Sequence, residues 1–411
     1  MTSPAGAGGG LLPLDEAQRR LLMGVTPTSG ETVGLGEATG RVLVEPMIRA
    51  PIDVPSFASS AMDGYAVRAA DTPGRLRVIG EVVAGMSVPP PIEPDTTARI
   101  MTGAPIPPGA DAVVPVEAAS TETEEEVELA AASRGDHVRD AAHDTRAGDE
   151  VCVAGELTPA KVAVLASLGL GSVVVHRRPA VAILSTGDEL VEAGEPLGPN
   201  QVHDANTVSL AAAVRDAGGL PIVLPRARDD AGAIEAALLA AARDADLLVT
   251  SAGVSVGRHD YVRAVLEERG NLDFWRIAIQ PGKPLAVGRL GGRTLIGLPG
   301  NPVSALVVFE LMVRPLVRAM QGLAGDGRMR ARAVADERIG KDPGRRAFLR
   351  VVVRAEGDVL HARPAGGQLS SQLRPLADAN ALLVVPEGPD AAEPGRAYEA
   401  ILLEPLVGAV R

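Results

Sequence analysis

From about residue 159 to about residue 321, short apolar runs of strand length alternate with helical stretches, and this alternation constrains the fold more than any other feature of the chain. "VAILST", "LPIVLP", "DLLVTS" and "TLIGL" read as strands. "TPAKVAVLASLGL", "NTVSLAAAVRDAGG", "AGAIEAALLAAARDA" and "YVRAVLEERG" read as helices, and a long helix is expected from Asn301 to about Gln321. Strands separated by single helices imply βαβ units and a parallel sheet, whose ligands bind beyond the carboxyl ends of the strands. Residues 47–148 differ: "RLRVIGEVV" and "DAVVPVEAA" are strands between proline-rich turns, with no helical period. Beyond residue 328, "RARAVADERI", "RAFLRVVVRAEGDVLHARP" and "ALLVVPEG" are short strands again. At 411 residues the chain exceeds one ordinary core. The expectation is a multidomain α/β-plus-β fold: a central α/β domain with a parallel sheet, a mainly β inserted domain and a C-terminal β-rich domain.

Three strand-to-helix junctions carry polar clusters. "ILSTGDEL" ends a strand with Ser185, Thr186 and Gly187, followed by Asp188 and Glu189. Hydroxyl and N–H donors suit phosphate, and carboxylates beside them suit Mg²⁺, a hard ion that takes oxygen ligands. As plain structure the same letters describe a helix N-cap with acidic residues in the first turn. "SAGVSVGRHD" follows another strand with Gly253, Ser255 and Gly257, and Asp260 closes it. "GLPGNPVSA" places Gly297, Leu298 and Pro299 in a turn, Gly300 next, Asn301 at N-cap and Pro302 at N1. Lys283, on the Pro-Gly turn of "IQPGKPLAVG", is a candidate oxyanion contact.

The second junction has the G-x-S-x-G spacing of a nucleophile elbow. A triad in that order needs a later acid and then a histidine, and the only histidine after His259 is His361, in the C-terminal β region. A serine nucleophile is therefore disfavoured. The six histidines show no metal-ligand spacing, and Cys152 is the only cysteine, which excludes an intrachain disulfide and a Cys-rich zinc site. One cysteine fits a reducing cytoplasm. A net charge of −12 and 2% aromatic residues oppose a nucleic-acid partner. "MTSPAGAGGG" lacks the pattern of a signal peptide and reads as a flexible tail. The run "NPVSALVVFELMVRPLVRAM" is broken by Glu310, Arg314 and Pro315, so it is expected in a core rather than a membrane.

Six motifs in order, "SAMDGYAV" (60–67), "RIMTGAPIPPGADAVVP" (99–115), "STGDEL" (185–190), "GVSVGRHDY" (253–261), "PGKP" (281–284) and "GLPGNPVSALV" (297–307), make the chain resemble the molybdopterin molybdenumtransferases, which include bacterial molybdenum insertases and the C-terminal domain of gephyrin. The resemblance implies molybdenum cofactor biosynthesis: molybdate is inserted into adenylylated molybdopterin, AMP is released, and Mg²⁺ assists. It implies a homodimer of four-domain subunits. The division would be a tail at 1–11, a molybdopterin-binding α/β domain from 12–28 and 179–327, a linking domain from 29–46 and 149–178, the inserted domain at 47–148 and the C-terminal domain at 328–411. Carried over by motif, Asp63, Thr102, Glu189 and Asp260 would be catalytic, and Glu189, Asp229 and Asp260 would hold the metal. Ser185, Thr186, Gly187, Asp188, Gly253, Ser255, Gly257, Arg276, Lys283, Pro299, Gly300, Asn301, Pro302, Arg139, Asp144 and Ser370 would contact substrate. The implied partners are small-molecule substrates, a molybdopterin adenylyltransferase and molybdoenzyme maturation factors. Relatives often carry lysine at Arg276 and Gln280, a G-E-D stretch where Ala142, His143 and Asp144 stand, and glycine at Ala252. The alternatives are a molybdopterin adenylyltransferase, for which the extra β domains have no place, and a gephyrin-like binding scaffold, which leaves the pocket carboxylates unexplained.

Overall fold

The structure, a computed structural model, describes residues 11–227, 230–253 and 261–406. The chain divides into two compact units, one built from residues up to Glu31 and from His176 onward, the other spanning Thr32–Val175.

In the first unit, helix α1 (Leu14–Leu22) precedes a six-stranded sheet of β1 (Ala180–Ser185), β2 (Leu220–Val223), β3 (Leu247–Ser251), β4 (Asn271–Trp275), β5 (Ala286–Leu290) and β6 (Arg293–Leu298), in the order β2-β1-β3-β6-β5-β4. The four strands β2, β1, β3 and β6 are parallel, as the alternation requires; β5 and β4 add an antiparallel edge through the tight turn at Gly291 and Gly292. Helices α2 (Ala205–Asp216), α3 (Ala231–Ala241), α4 (Tyr261–Glu268) and α5 (Pro302–Val308) cover both faces. Every residue of β1 and β3 is buried, which is why they read as continuous apolar runs. Alternate side chains serve opposite layers. Val181, Ile183, Val249 and Ile296 pack with α1, α2 and α5, whereas Ala182, Leu184, Leu248 and Leu295 pack with α3 and α4. Burying each leucine, isoleucine or valine side chain contributes about 1.5–3 kcal/mol.

The expected long helix after Asn301 is present but not uniform: α5 passes into a π-helical turn at Phe309–Val313 before a last helical stretch, Arg314–Ala319. Its charged interruptions are satisfied rather than excluded from the core. Buried Arg314 donates to Asp216 at 2.6 Å and to the Asp326 carbonyl at 2.7 Å, and Arg328 grips Glu310 through two 2.9 Å bonds. The same unit ends in a barrel: strands Arg346–Glu356, Val359–Pro364, Arg330–Ala335, Ala397–Leu402 and Ala381–Val385 pair in that order, and the last closes on the first. The short strand Ile279–Gln280 joins the edge of Arg346–Glu356 in parallel.

The second unit is mainly β, as its turn-rich sequence requires. Its six-stranded sheet runs Ala112–Pro115, Gly64–Val67, Thr96–Ile100, Gly74–Val82, Glu126–Leu129, Ala119–Glu122. Gly64 sits so close to the neighbouring strand that a Cβ there would lie 2.1 Å from the Val114 carbonyl oxygen, so "MDGYA" admits only glycine at its centre. The helix Pro159–Ser167, capped by Thr158, belongs to this unit and packs Leu165 on Leu43, Leu157 and Val173 rather than on the parallel sheet.

Candidate functional site

Register places the three junctions side by side. Ser185 of β1 pairs with Ser251 of β3, and Ser251 pairs with Leu298 of β6, so the turns that follow leave the sheet at one level. The strand order reverses between β1 and β3, the place where open α/β sheets bind ligands. A cavity of about 680 Å³ opens there. From the first junction it is lined by Thr186 and Glu189, from the second by Ser251, Ala252 and Gly253, and from the third by Pro299, Gly300 and Asn301.

The first junction departs from the helix-cap expectation. No helix follows Asp188 and Glu189; a two-stranded parallel ribbon of Leu190–Val191 and Val202–His203 intervenes, and α2 waits for its cap, Asp204, whose carboxylate accepts the Thr207 N–H at 3.0 Å. The acidic pair is thereby freed from capping. Gly187, at φ +138°, lets the Glu189 carboxylate fold back over the turn: a Cβ on Gly187 would stand 2.8 Å from both its oxygens. Thr186 is buried at the wall. Ser185 is instead turned to a neighbouring cavity of about 510 Å³, where it accepts from Thr207 at 2.9 Å.

One buried side chain, which sequence reasoning missed, ties the junctions together. Asn206, in the first turn of α2, donates through Nδ2 to Ser251 Oγ at 2.6 Å and to the Gly300 carbonyl at 2.7 Å. The carbonyl can only accept, which fixes the amide's orientation and leaves Oδ1 buried with no partner among the described residues. At the third junction Asn301 is N-cap, but its side chain makes no cap bond; Nδ2 reaches Ser370 Oγ at 3.1 Å, on the loop entering from the barrel. That loop adds Gln368, Leu369 and Ser370 to the lining. Beneath it Arg350, fully buried, donates to the carbonyls of Gly367 and Leu369 at 2.9 and 3.3 Å, and burial pushes its guanidinium below the usual arginine range. Pro302 begins α5 just behind the wall.

Lys283, exposed, and Arg345 are the cationic side chains in the lining among the described residues. Arg276 is not in the lining; it sits at φ +70°, where its N–H donates to Leu285. Gln280 is in the lining, and its Oε1 accepts the Asp342 N–H at 2.8 Å. A lysine could not accept that bond. Asp188 lies outside the lining. Asp229, Ser255, Gly257 and Asp260 lie outside the described residues, so the structure bears on the metal set only through Glu189.

The second unit holds its own polar cluster. Asp63 accepts the Thr102 N–H and hydroxyl, both at 2.7 Å, and these bonds, the backbone one foremost, hold its carboxyl below the usual aspartate range although it stands in solvent. The adjoining Gly103 and Ala104 exchange backbone bonds with Ser60. Arg139 pairs with Ser59 on the same short segment, and Asp144 donates its N–H to Val54. Arg139 and Asp144 are both exposed.

Three family models match in sequence order: the MoeA N-terminal region (domain I and II) over residues 12–169, a probable molybdopterin binding domain over 182–319 and the MoeA C-terminal region (domain IV) over 332–403. Molybdopterin molybdenumtransferase 2 of Mycobacterium tuberculosis is 41% identical over 371 residues, covering 87% of this chain and 91% of the relative. The molybdopterin molybdenumtransferase of Bacillus subtilis is 34% identical over 95% of this chain and 94% of its own length, and that of Haemophilus influenzae is 43% identical over 76% and 78%. Among solved structures, a molybdopterin biosynthesis MoeA protein from Pyrococcus horikoshii aligns with a TM-score of 0.82 and 33% identity over 96% of this chain and all of that one. No helix among the described residues is long and apolar enough to cross a membrane.

Proposed function

Because the chain belongs to the molybdopterin molybdenumtransferase family, whose models and relatives span most of its length, and is thus a transferase of molybdenum cofactor biosynthesis, we propose that it inserts molybdate into adenylylated molybdopterin and releases AMP. The observation that carries this reading is the shared cavity, in which Glu189, Ser251 and Pro299 from three strand ends in register stand with Lys283. The substrate's phosphates meet hydroxyls and the turn backbone, and molybdate, a dianion, meets cationic side chains. Insertion needs the oxyanion held against the dithiolene more than it needs a protein nucleophile. The part assigned to these residues is therefore binding and orientation.

Glu189, in the cavity lining, is a hard oxygen donor that suits Mg²⁺, and it would hold the ion together with Asp229 and Asp260, which lie outside the described residues. When bound, the ion supplies positive charge against the phosphates. Asp63 and Thr102, with Arg139 and Asp144, are carried as insertion residues on the family's motif. Placement in the cytoplasm, a homodimer, and the domain division at residues 28/29, 46/47, 148/149, 178/179 and 327/328 belong to the same reading. The test supplies purified protein with Mg²⁺, molybdate and adenylylated molybdopterin. AMP and active cofactor are expected in equal amounts; substrate left intact refutes the proposal. Consumption of ATP with free molybdopterin would instead support an adenylyltransferase.

A further inference from the structure

The chain carries four phenylalanines, and three of them, Phe274, Phe309 and Phe348, are buried, as are Tyr65 and Tyr398. Phe57 is 46% exposed. It forgoes the burial that the other three obtain, and its place in the second unit suggests what covers it. Phe57 lies on the middle one of three adjacent segments. On one side Ala58 accepts the Ile106 N–H at 3.0 Å, and Ser60 accepts the Gly103 N–H at 2.8 Å while donating its own to Ala104 at 3.0 Å. On the other side Ser59 pairs with Arg139, and Val54 accepts the Asp144 N–H at 3.0 Å and donates to Thr145 at 2.7 Å. One flank therefore brings Thr102, the other Arg139 and Asp144, and the middle segment itself runs on to Asp63. Phe57 stands between the register positions of Asp144 and Arg139, three residues after Val54 and two before Ser59. Met62, beside Asp63, is a second apolar side chain left 39% exposed. Asp63 spends Oδ1 on both Thr102 bonds, which leaves Oδ2 for a ligand. A single exposed apolar residue needs no partner, but an aromatic face framed by exposed polar groups has the make-up of a ligand site.

We infer that the ring of Phe57 is the stacking face for the pterin of the substrate and holds it beside Asp63 and Thr102. Adenylylated molybdopterin has two flat heterocycles, pterin and adenine. The pterin is the one assigned because it bears the dithiolene, and Asp63 and Thr102 are proposed to act where the metal enters. Stacking supplies affinity and orientation with little chemical choice, since every heteroaromatic ring has a π-face; the polar groups around Phe57 supply the choice. The inference rests on the proposed transferase reading for the identity of the ring, and its test is a binding measurement that does not require turnover.

Adenylylated molybdopterin is titrated into the full-length protein by calorimetry, with AMP as a second ligand, thermal unfolding as the check on folding and sedimentation as the check on assembly. Phe57→Ala is expected to weaken the adenylylated pterin roughly 5- to 100-fold, the loss of one stacked ring, and to leave AMP affinity unchanged. Phe57→Tyr keeps the π-face and is expected to bind as the wild type does. Phe57→Leu keeps an apolar side chain without that face, so it should lose most of what Phe57→Ala loses. A packing role would not separate tyrosine from leucine at an exposed position. Should Phe57→Ala fail to fold, the tyrosine and leucine variants carry the test by themselves. Wild-type affinity in Phe57→Leu, absence of binding by the wild type, a loss shared by AMP, or a change in assembly alone overturns the inference. If affinity for the adenylylated pterin tracks the aromatic ring while the wild type releases no AMP, the transferase proposal alone has failed.

Discussion

Replacing Asn206 by alanine tests whether one amide holds the three junctions together. The substitution removes two buried hydrogen bonds, at 2.6 and 2.7 Å, each worth about 1 kcal/mol net. It also strands the Gly300 carbonyl and the Ser251 hydroxyl, at about 1–3 kcal/mol where water cannot reach them. Against this, the orphaned Oδ1 disappears, which returns on the order of 1 kcal/mol. The balance is a destabilisation of about 2–4 kcal/mol, or roughly 4–16 °C in Tm for a unit of this size. Asn206→Asp should be worse for ligand binding, since it turns a carboxylate oxygen toward the Gly300 carbonyl in a cavity meant for anions. Thermal and urea unfolding of both variants, with titration of adenylylated molybdopterin, measure the two effects. A shift below about 0.5 kcal/mol with substrate affinity unaltered would show that the junctions are positioned by their strands alone.

Ala252 holds a left-handed backbone, φ +80°, that alanine enters at a cost of about 1 kcal/mol, so Ala252→Gly should be neutral or stabilising in denaturant titration, the reverse of the usual sign; clear destabilisation would contradict the assigned backbone. Asp246 lies in a partly buried setting that by itself raises its carboxyl, but bonds from Arg177 at 2.6 Å and from the Ala180 N–H outweigh burial and hold it low. Its stabilisation is therefore fully present above about pH 4, the unfolded value, and is lost as pH falls through the folded one. Asp246→Asn should cost roughly 1–3 kcal/mol at neutral pH, limited by the solvent exposure of Arg177, and the gap from wild type should close in acid; a gap independent of pH would reject the ion pair as its source. Asp63→Asn keeps an acceptor for Thr102 but removes the charge, so folding should be unchanged and AMP release should fall by roughly 10²-fold or more; full activity would remove Asp63 from the catalytic set.

The parallel sheet and the polar turns at its rim were legible because they rest on local pattern: continuous apolar strands, and Asn301 with Pro302 at a helix start. At the first junction the plain-structure alternative of an acidic helix start does not hold, again for a local reason. "STGDEL" has the letters of an acidic helix start, but Gly187 turns the chain into a ribbon, and Asp204, far down the sequence, takes the capping role. Asn206 and Gln368 were invisible because their partners Gly300 and Arg350 lie 94 and 18 residues away, and Arg345 because only the folded chain brings its turn to the cavity. Gln280 was noticed for the charge it lacks; only the Asp342 N–H shows what its oxygen does. Arg276 was weighted by its charge alone, and the left-handed backbone it holds, φ +70°, could not be read from the letters.

Helix α1 is synthesised long before the elements it packs against. It contacts the helical stretch Arg314–Ala319, and Asp15 pairs with Arg346 at 2.7 Å across 331 residues. During translation that apolar face is not fully covered until the helical stretch Phe309–Ala319 leaves the ribosome, while the 32–175 unit, contiguous in sequence, can close on its own contacts. The nascent chain thus carries an uncovered amphipathic helix ahead of a finished unit, and slow or interrupted elongation should expose it to chaperone capture and aggregation in proportion to the delay.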